Sequence, residues 1–467
     1  MQQREYNLSD KYSIEEYAQK MVGKTFRDIC FNDGDNDSSL QPNYNESHEN
    51  RNRKGGLGQL IEERFFHYQA NSESRPDFEE AGVELKTTPY RINQNRTLAA
   101  KERLVLNMID YNAVISEEDF FESHFWYKNE WILLVYYLWM EEIENRLDYR
   151  IDYVRLFTPN ESDLNIIKND YHKIIEKIQQ GKAHELSESD TMYLAACTKS
   201  ADSRKRTEQP CSAIPAKPRA FSYKSSYMSY VLNNYIIGGR PLFESIIKND
   251  VVNDFEEYVI GKINKYRGKT FKELCAIFDI KLEGKPKALG SMLAFRMLGI
   301  SGNNAEEFVK ANIQVKTIRI NKKGTINESM SFPTFNFQTL VNEEWEDSDF
   351  YNLLSSTKFL FVVYQEEDNG QFHLDHAQFW NIPNDVLDNE VRPVWEKTKY
   401  VLTHLPSKLK ENGHYVGIFP KQAENRICHV RPHARDSRDT MTLPDGRVYP
   451  KQCFWLNRSY ILSIVNE

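Results

Sequence analysis

Asp77, Glu84 and Lys86 fall within ten residues of one another. Successive side chains of an extended strand alternate, so in Val83-Glu84-Leu85-Lys86 the carboxylate and the ammonium share one face while Val83 and Leu85 share the other. Asp77 follows Arg75-Pro76, where a turn can bring its carboxylate beside Glu84. Paired carboxylates offer hard oxygen ligands to a divalent cation such as Mg²⁺, and an adjacent lysine can orient a water and hold charge that develops on a phosphate. Phosphodiester hydrolysis needs that set. The same spacing also occurs on solvated strand faces, so the surrounding chain must decide.

The chain repeats itself. GKTFRDIC at residues 23–30 returns as GKTFKELC at 268–275, an offset of 245. GLGQLIEERFF around Gly58 matches ALGSMLAFRML around Gly290, and GVELKTTPYRIN matches NIQVKTIRIN, at offsets of 232 and 230. AFSYKSSYM from Ala220 matches CFWLNRSYI from Cys453 at an offset of 233. A polar insertion at residues 33–54, DGDNDSSLQPNYNESHENRNRK, accounts for the fall from 245, and such a run reads as a loop with no apolar surface to bury. Four matches in order imply two homologous domains, 1–240 and 241–467, divided within residues 236–262.

Each half reads as helices followed by apolar-alternating strands. A helix spaced by Tyr17, Met21, Phe26 and Ile29 comes first and a second covers residues 58–68. VELKT, RLVLNMI, WILLVYYLWM and DYVRLF read as strands, and a long helix closes at Gly181. The fold class expected is α/β, each domain a mixed β-sheet flanked by helices. With 467 residues, 40% of them hydrophobic, the chain can fill two cores. No apolar run approaches the roughly 20 residues of a bilayer span, and the charged start lacks the apolar centre of a signal peptide, so a cytoplasmic location with no membrane partner is expected. Six scattered cysteines with no CxxC pair read as reduced thiols.

The net charge of −8 does not favour a protein that coats nucleic acid indiscriminately. Basic charge is nonetheless concentrated at matching places in the repeat. Residues 199–224 carry Lys199, Arg204, Lys205, Arg206, Lys217, Arg219 and Lys224 against Asp202 and Glu208. Residues 426–438 carry four arginines against Asp436, with His429 and His433 between them.

KGGLGQLIEERFF followed by RPDFEEAGVELKTTP, then SHFWYKNEWILL, YLAACTKSA and KPRAFSYKSSYM, resembles the MutH mismatch-repair endonucleases and the related type II restriction enzymes that cut at GATC. The resemblance covers most of the first half, and the repeat carries it into the second; the two-domain length is that of the restriction enzymes. It implies tandem restriction-endonuclease-like domains. It also implies that Glu62, Asp77 and Glu84 hold Mg²⁺, that Lys86 positions or activates the attacking water, and that Lys128 supports the site. Glu63 is the alternative to Glu62.

At the equivalent positions the second half has Ala294, Glu307 and Gln314, and only Lys316 survives. An amide and a methyl group cannot serve as anionic ligands, so this half is expected not to cut. It is expected to bind DNA as an effector domain through the VRPHARD segment, by Arg431, His433 and Arg435. In the first half the resemblance puts a base-contacting role on Lys199, with Arg219 and Lys224 on the DNA as well; Cys197 and Ser222 stand where the repair enzymes carry arginine and tyrosine. The implied partners are double-stranded DNA with two GATC sites per protein and a cognate GATC methyltransferase, the enzyme being a monomer or a DNA-induced dimer. The rival readings are a methyl-directed nickase and a DNA-binding protein without catalysis.

Overall fold

The computed structural model describes residues 5–30, 56–68, 74–93, 96–200, 204–239, 243–248, 250, 252–280, 289–436 and 438–466. The insertion at 33–54 lies outside them. Two compact units emerge, Met1–Leu242 with Val309–Asn312, and Phe243–Phe308 with Ile313–Glu467. The first cut falls two residues beyond position 240, but four residues of the second half belong to the first unit.

In the first unit the strands are β1 (Val83–Ile92), β2 (Leu98–Ala100), β3 (Leu104–Met108), β4 (Trp131–Leu138), β5 (Ile151–Phe157), β6 (Leu194–Thr198), a short hairpin of β7 (Thr207–Gln209) and β8 (Ser212–Ala216), and β9 (Arg219–Tyr223). They form a four-stranded sheet of order β2-β1-β4-β5 and a three-stranded sheet of order β3-β9-β6. The larger sheet is mixed, because β1 runs parallel to β4 while β4 runs antiparallel to β5. Strand β4 reads Ile-Leu-Leu-Val-Tyr with every side chain buried, as a strand covered on both faces must. The strands that read alike in sequence are thus divided between two sheets.

The N-terminal helix is interrupted. Lys11–Ala18 is α-helical and Gln19–Met21 tightens, but Gly23 then takes φ +84°, and a new helix begins at Phe26–Cys30. A left-handed residue cannot continue a helix and is cheap only for glycine, so the single apolar stripe is carried by two short helices. Met21, Phe26 and Ile29 are still buried together with Leu60, Ile61, Val83 and Leu85. The long helix Glu161–Gln179 is capped by Asn160, whose side chain accepts from Asp163 N, and ends before Gly181 at φ +72°.

The second unit repeats the plan. Its strands are β10 (Ile313–Ile320), β11 (Met330–Thr334), β12 (Lys358–Glu366), β13 (Phe372–Trp380), a two-residue hairpin of β14 (Lys410–Glu411) and β15 (His414–Tyr415), β16 (Cys428–Pro432), another short pair of β17 (Thr440–Thr442) and β18 (Val448–Pro450), and β19 (Gln452–Leu456). A mixed sheet β10-β12-β13 and an antiparallel sheet β11-β19-β16 correspond to the two sheets of the first unit. Among the described residues no helix is long and apolar enough to cross a membrane.

Candidate active site

Backbone register brings Asp77 and Glu84 together. Phe78 and Val83 bond each other reciprocally, with Gly82 at φ +65° closing the turn, so the chain doubles back just before β1. Asp77 N donates to Glu84 Oε2 at 3.2 Å, and Leu85 N donates to Asp77 Oδ2 at 2.8 Å. Both carboxylates are buried, while Val83 and Leu85 leave the opposite face of the strand for the core. Lys86 Nζ donates to Glu84 Oε1 at 2.6 Å, and Lys128 Nζ lies 3.6 Å from the same oxygen. Lys128 comes from the helix His124–Asn129, which Ser123 caps and Asn129 ties to Asn107 Oδ1 of β3 at 2.9 Å.

Glu62 approaches from the helix Leu57–Leu60, which widens into a π-helical turn over Ile61–Phe65. Gly58 faces β1: a Cβ there would stand 3.9 Å from Thr87 Oγ1 and 4.0 Å from Glu62 Oε1. Burial pushes the Glu62 carboxyl up to about 7, with the nearby Asp77 and Glu84 charges raising it further against the pull of Lys86. Asp77 is raised too, by burial first and by Glu84 second. Glu63 is half-exposed and accepts from Gln59 Nε2 at 3.0 Å. Of the two neighbours, Glu62 is the one that faces the cluster. All five residues singled out in the sequence, Glu62, Asp77, Glu84, Lys86 and Lys128, are therefore brought into one cluster. Among the described residues no group of three or more His, Cys, Asp or Glu side chains is placed to hold a cation, and Asp77 and Glu84 accept from backbone N–H groups and from Lys86.

Among its described residues the second unit lacks this cluster. Ala294 is fully buried, and Glu307 is occupied by Ser245 Oγ, Ile246 N and Ile247 N. A Cβ on Gly290 would stand only 2.5 Å from Thr317 Oγ1, so the helix lies against the strand where the first unit leaves room for Glu62. Half-buried Lys316 has no carboxylate partner among the described residues, and burial lowers its pKa.

The two basic stretches divide into reachable and unreachable side chains. Lys199 is exposed, at the end of β6, where its N–H donates to Pro218 O. Arg431, His433 and Arg435 are exposed as well. Arg219 and Lys224 are not. Arg219 is 5% exposed and donates to Ala196 O at 2.6 Å; Lys224 is 2% exposed and donates to Thr191 O at 2.5 Å, near the buried Asp170. The expectation that these two contact DNA is corrected: strand β9 is buried along its whole length, and the cations at its ends satisfy interior carbonyls.

The family model for the DNA mismatch repair enzyme MutH matches residues 66–170 and again 298–389, segments that begin 232 positions apart (298 − 66), as the repeat does. The type II restriction enzyme Sau3AI of Staphylococcus aureus is 35% identical over 98% of this chain and 98% of its own length. The chain belongs to the MutH-related type II restriction endonucleases. The MutH protein of Shewanella baltica is 28% identical over 38% of this chain and 79% of its own length, and that of Yersinia enterocolitica 24% identical over 49% and 95%. Full-length likeness to the restriction enzyme, against half-length likeness to the repair proteins, makes this endonuclease a site-specific deoxyribonuclease of the restriction type.

Proposed function

We propose that this endonuclease cuts double-stranded DNA at 5′-GATC-3′ before the guanine, using Mg²⁺, with its first unit as the catalytic domain and its second as a DNA-binding effector. The observation that carries the reading is the meeting of Lys86 and Lys128 on Glu84 beside Asp77 and Glu62, against the dispersal of the same positions in the second unit. Mg²⁺ commonly takes one or two carboxylates and completes its shell with waters and substrate phosphates, so Asp77 and Glu84, with Glu62 behind them, fit it without a three-carboxylate cage. Burial and mutual repulsion raise the Glu62 and Asp77 carboxyls, and a cation bound among them would relieve that repulsion.

Bound there, Mg²⁺ supplies charge that offsets the build-up on the phosphoryl oxygens. Lys86 orients the attacking water for in-line approach to phosphorus, while Lys128 holds charge on the phosphate from the helix side. Water oxygen forms the new bond to phosphorus as the P–O3′ bond breaks, leaving a 5′-phosphate and a 3′-hydroxyl. A cytoplasmic enzyme of this kind requires a cognate methyltransferase to protect its host.

The test incubates purified protein and Mg²⁺ with one plasmid bearing several GATC sites and one bearing none, beside a Lys86→Ala variant. Double-strand cuts confined to the first plasmid and absent from the variant are expected. Nicks alone would transfer the reading to a repair nickase, and binding without cleavage would overturn catalysis at this cluster.

A further inference from the structure

The two units part where two of their helices meet, and the repeat allows that junction to be matched residue by residue. Helix Phe255–Asn264 corresponds to Lys11–Ala18, because the turns that follow are the same: Gly268 N donates to Leu374 O at φ +81°, as Gly23 N donates to Ile151 O at φ +84°. Helix Leu289–Met297 corresponds to residues 57–65, each followed two positions later by a positive φ, at Gly299 and at His67. Lys262 therefore stands where the first unit has Tyr17, and Lys265 where it has Lys20. Met297, Leu298 and Ile300 stand for Phe65, Phe66 and Tyr68.

In the first unit the junction is packed with rings. Tyr17 lies 4.8 Å from Phe65 and 5.8 Å from Phe66, and its hydroxyl donates to Phe65 O at 3.3 Å. Lys20 is paired with Glu5 at 2.5 Å. In the second unit the smaller residues leave a cavity of about 520 Å³, lined by Lys262, Met297, Leu298 and Ile300. Lys265 and Arg296 line it too, as do Tyr266 and Phe278, whose ring centroids are 5.3 Å apart.

The cations are held at the wall without being neutralised. Lys262 Nζ lies 4.6 Å over the Tyr258 ring and uses one of its three donors on Ile246 O at 3.1 Å. Arg296 Nη1 donates to Ile300 O at 2.7 Å and to Gly302 O at 3.1 Å. Among the described residues none of Lys262, Lys265 and Arg296 makes an ion pair. The carboxylates nearby are engaged elsewhere: Glu244 accepts from Ser301 N and Gly302 N, Asp250 from the Tyr258 hydroxyl, and Glu307 from Ile246 N and Ile247 N. Burial lowers the Lys262 pKa, and Lys248 and Lys265 lower it further against Asp250 and Glu307.

The volume suits a small ligand. Three cations call for more than one negative charge, and a phosphomonoester carries about −1.5 to −2 at neutral pH. Two aromatic rings beside them offer faces on which any nucleobase can stack. We propose that this cavity of the second unit binds a 5′-phosphorylated nucleoside, its phosphate on Lys262, Lys265 and Arg296 and its base against Tyr266 and Phe278. The site lies wholly within the second unit, so filling it requires neither cleavage nor a GATC sequence.

Calorimetric titration and thermal unfolding of the full chain, without DNA and in EDTA so that no metal bridges the ligand to the Asp77–Glu84 cluster, test this. Adenosine 5′-monophosphate should bind, raise the thermal midpoint, and bind at least ~10-fold more tightly than adenosine or inorganic phosphate alone. Lys265→Met should weaken that binding by about 10-fold, as expected for one lost charge-assisted hydrogen bond. Lys262→Tyr/Met297→Phe, which refills the cavity with the first unit's residues, should abolish binding while leaving the ligand-free midpoint no lower than the parent's. A 5′-phosphorylated tetranucleotide that binds more tightly than the mononucleotide, and loses that binding in the refilled variant, would identify the ligand as a DNA strand end; equal or weaker binding would identify a free nucleotide. Absence of mononucleotide binding by the parent would overturn the proposal. So would affinity no greater than that for phosphate, or undiminished binding by the refilled variant.

Discussion

Lys86 Nζ lies 2.6 Å from Glu84 Oε1, the two side chains leaving the same face of one strand two residues apart. The pair meets because strand geometry allows nothing else at that spacing, and Lys128 adds a second ammonium from a helix whose position depends on Asn129. Removing Lys86 leaves a buried carboxylate with weaker support, and removing the Glu84 charge deprives both lysines of their common partner. Lys86→Ala and Glu84→Gln are each expected to lower single-turnover cleavage by at least ~10²–10³-fold. Binding to GATC duplex without metal should be unchanged or tighter in Glu84→Gln, since one negative charge facing the DNA is gone; loss of binding in step with cleavage would count against a catalytic role.

The raised Glu62 carboxyl gives the metal-free protein a pH dependence of definite sign. Its folded value is about 7 against 4.5 for the free side chain, so between those values the folded chain holds a proton that the unfolded chain has released. Stability from this group is complete below pH 4.5 and is lost as pH rises through 7. In EDTA the thermal midpoint should therefore fall from pH 5.5 to 7.5 by more in the parent than in Glu62→Gln. Mg²⁺ should restore more of it at pH 7.5 than at pH 5.5. Identical pH profiles for parent and variant would mean that Glu62 is not buried beside the other carboxylates.

Restoring carboxylates to the second unit should not restore catalysis. Ala294 is fully buried and the Gly290 helix already touches Thr317, so an Ala294→Glu side chain meets occupied space and a buried charge at once. Ala294→Glu/Gln314→Glu on a Lys86→Ala background is expected to cut no GATC plasmid and to unfold at a lower temperature than its parent. Detectable cleavage would show that the second unit lost only its ligands and kept its pocket.

The chemistry was legible in the sequence where local geometry determines it. Alternation along residues 83–86 places Glu84 with Lys86, and the repeat supplies a control that exposes which positions the second half abandoned. Two things were not legible. The π-helical turn at Ile61–Phe65, in which Glu62 is buried and Glu63 half-exposed, adds a width that spacing alone cannot register. The burial of Arg219 and Lys224 depends on what packs over both faces of β9, a long-range matter, although the run Ala-Phe-Ser-Tyr between them already reads as an interior strand.

That burial separates two lysines which sequence alone groups together. Lys224 donates to the Thr191 carbonyl close to Asp170, which itself accepts from the N–H groups of Met192, Tyr193 and Leu194 and so fixes the entry to β6. Exchanging Lys224 for Met leaves interior acceptors unsatisfied, at a cost of ~1–3 kcal/mol, without removing a surface charge. Lys199 is exposed at the far end of the same strand. Lys224→Met should lower the denaturation midpoint while leaving the salt dependence of DNA binding unchanged in slope. Lys199→Ala should do the reverse, weakening binding with little change in stability; it should reduce the slope of log affinity against log salt by about 1 if Lys199 meets a phosphate, and relax sequence preference if it meets a base. A reduced slope in Lys224→Met at normal stability would return that residue to the DNA surface.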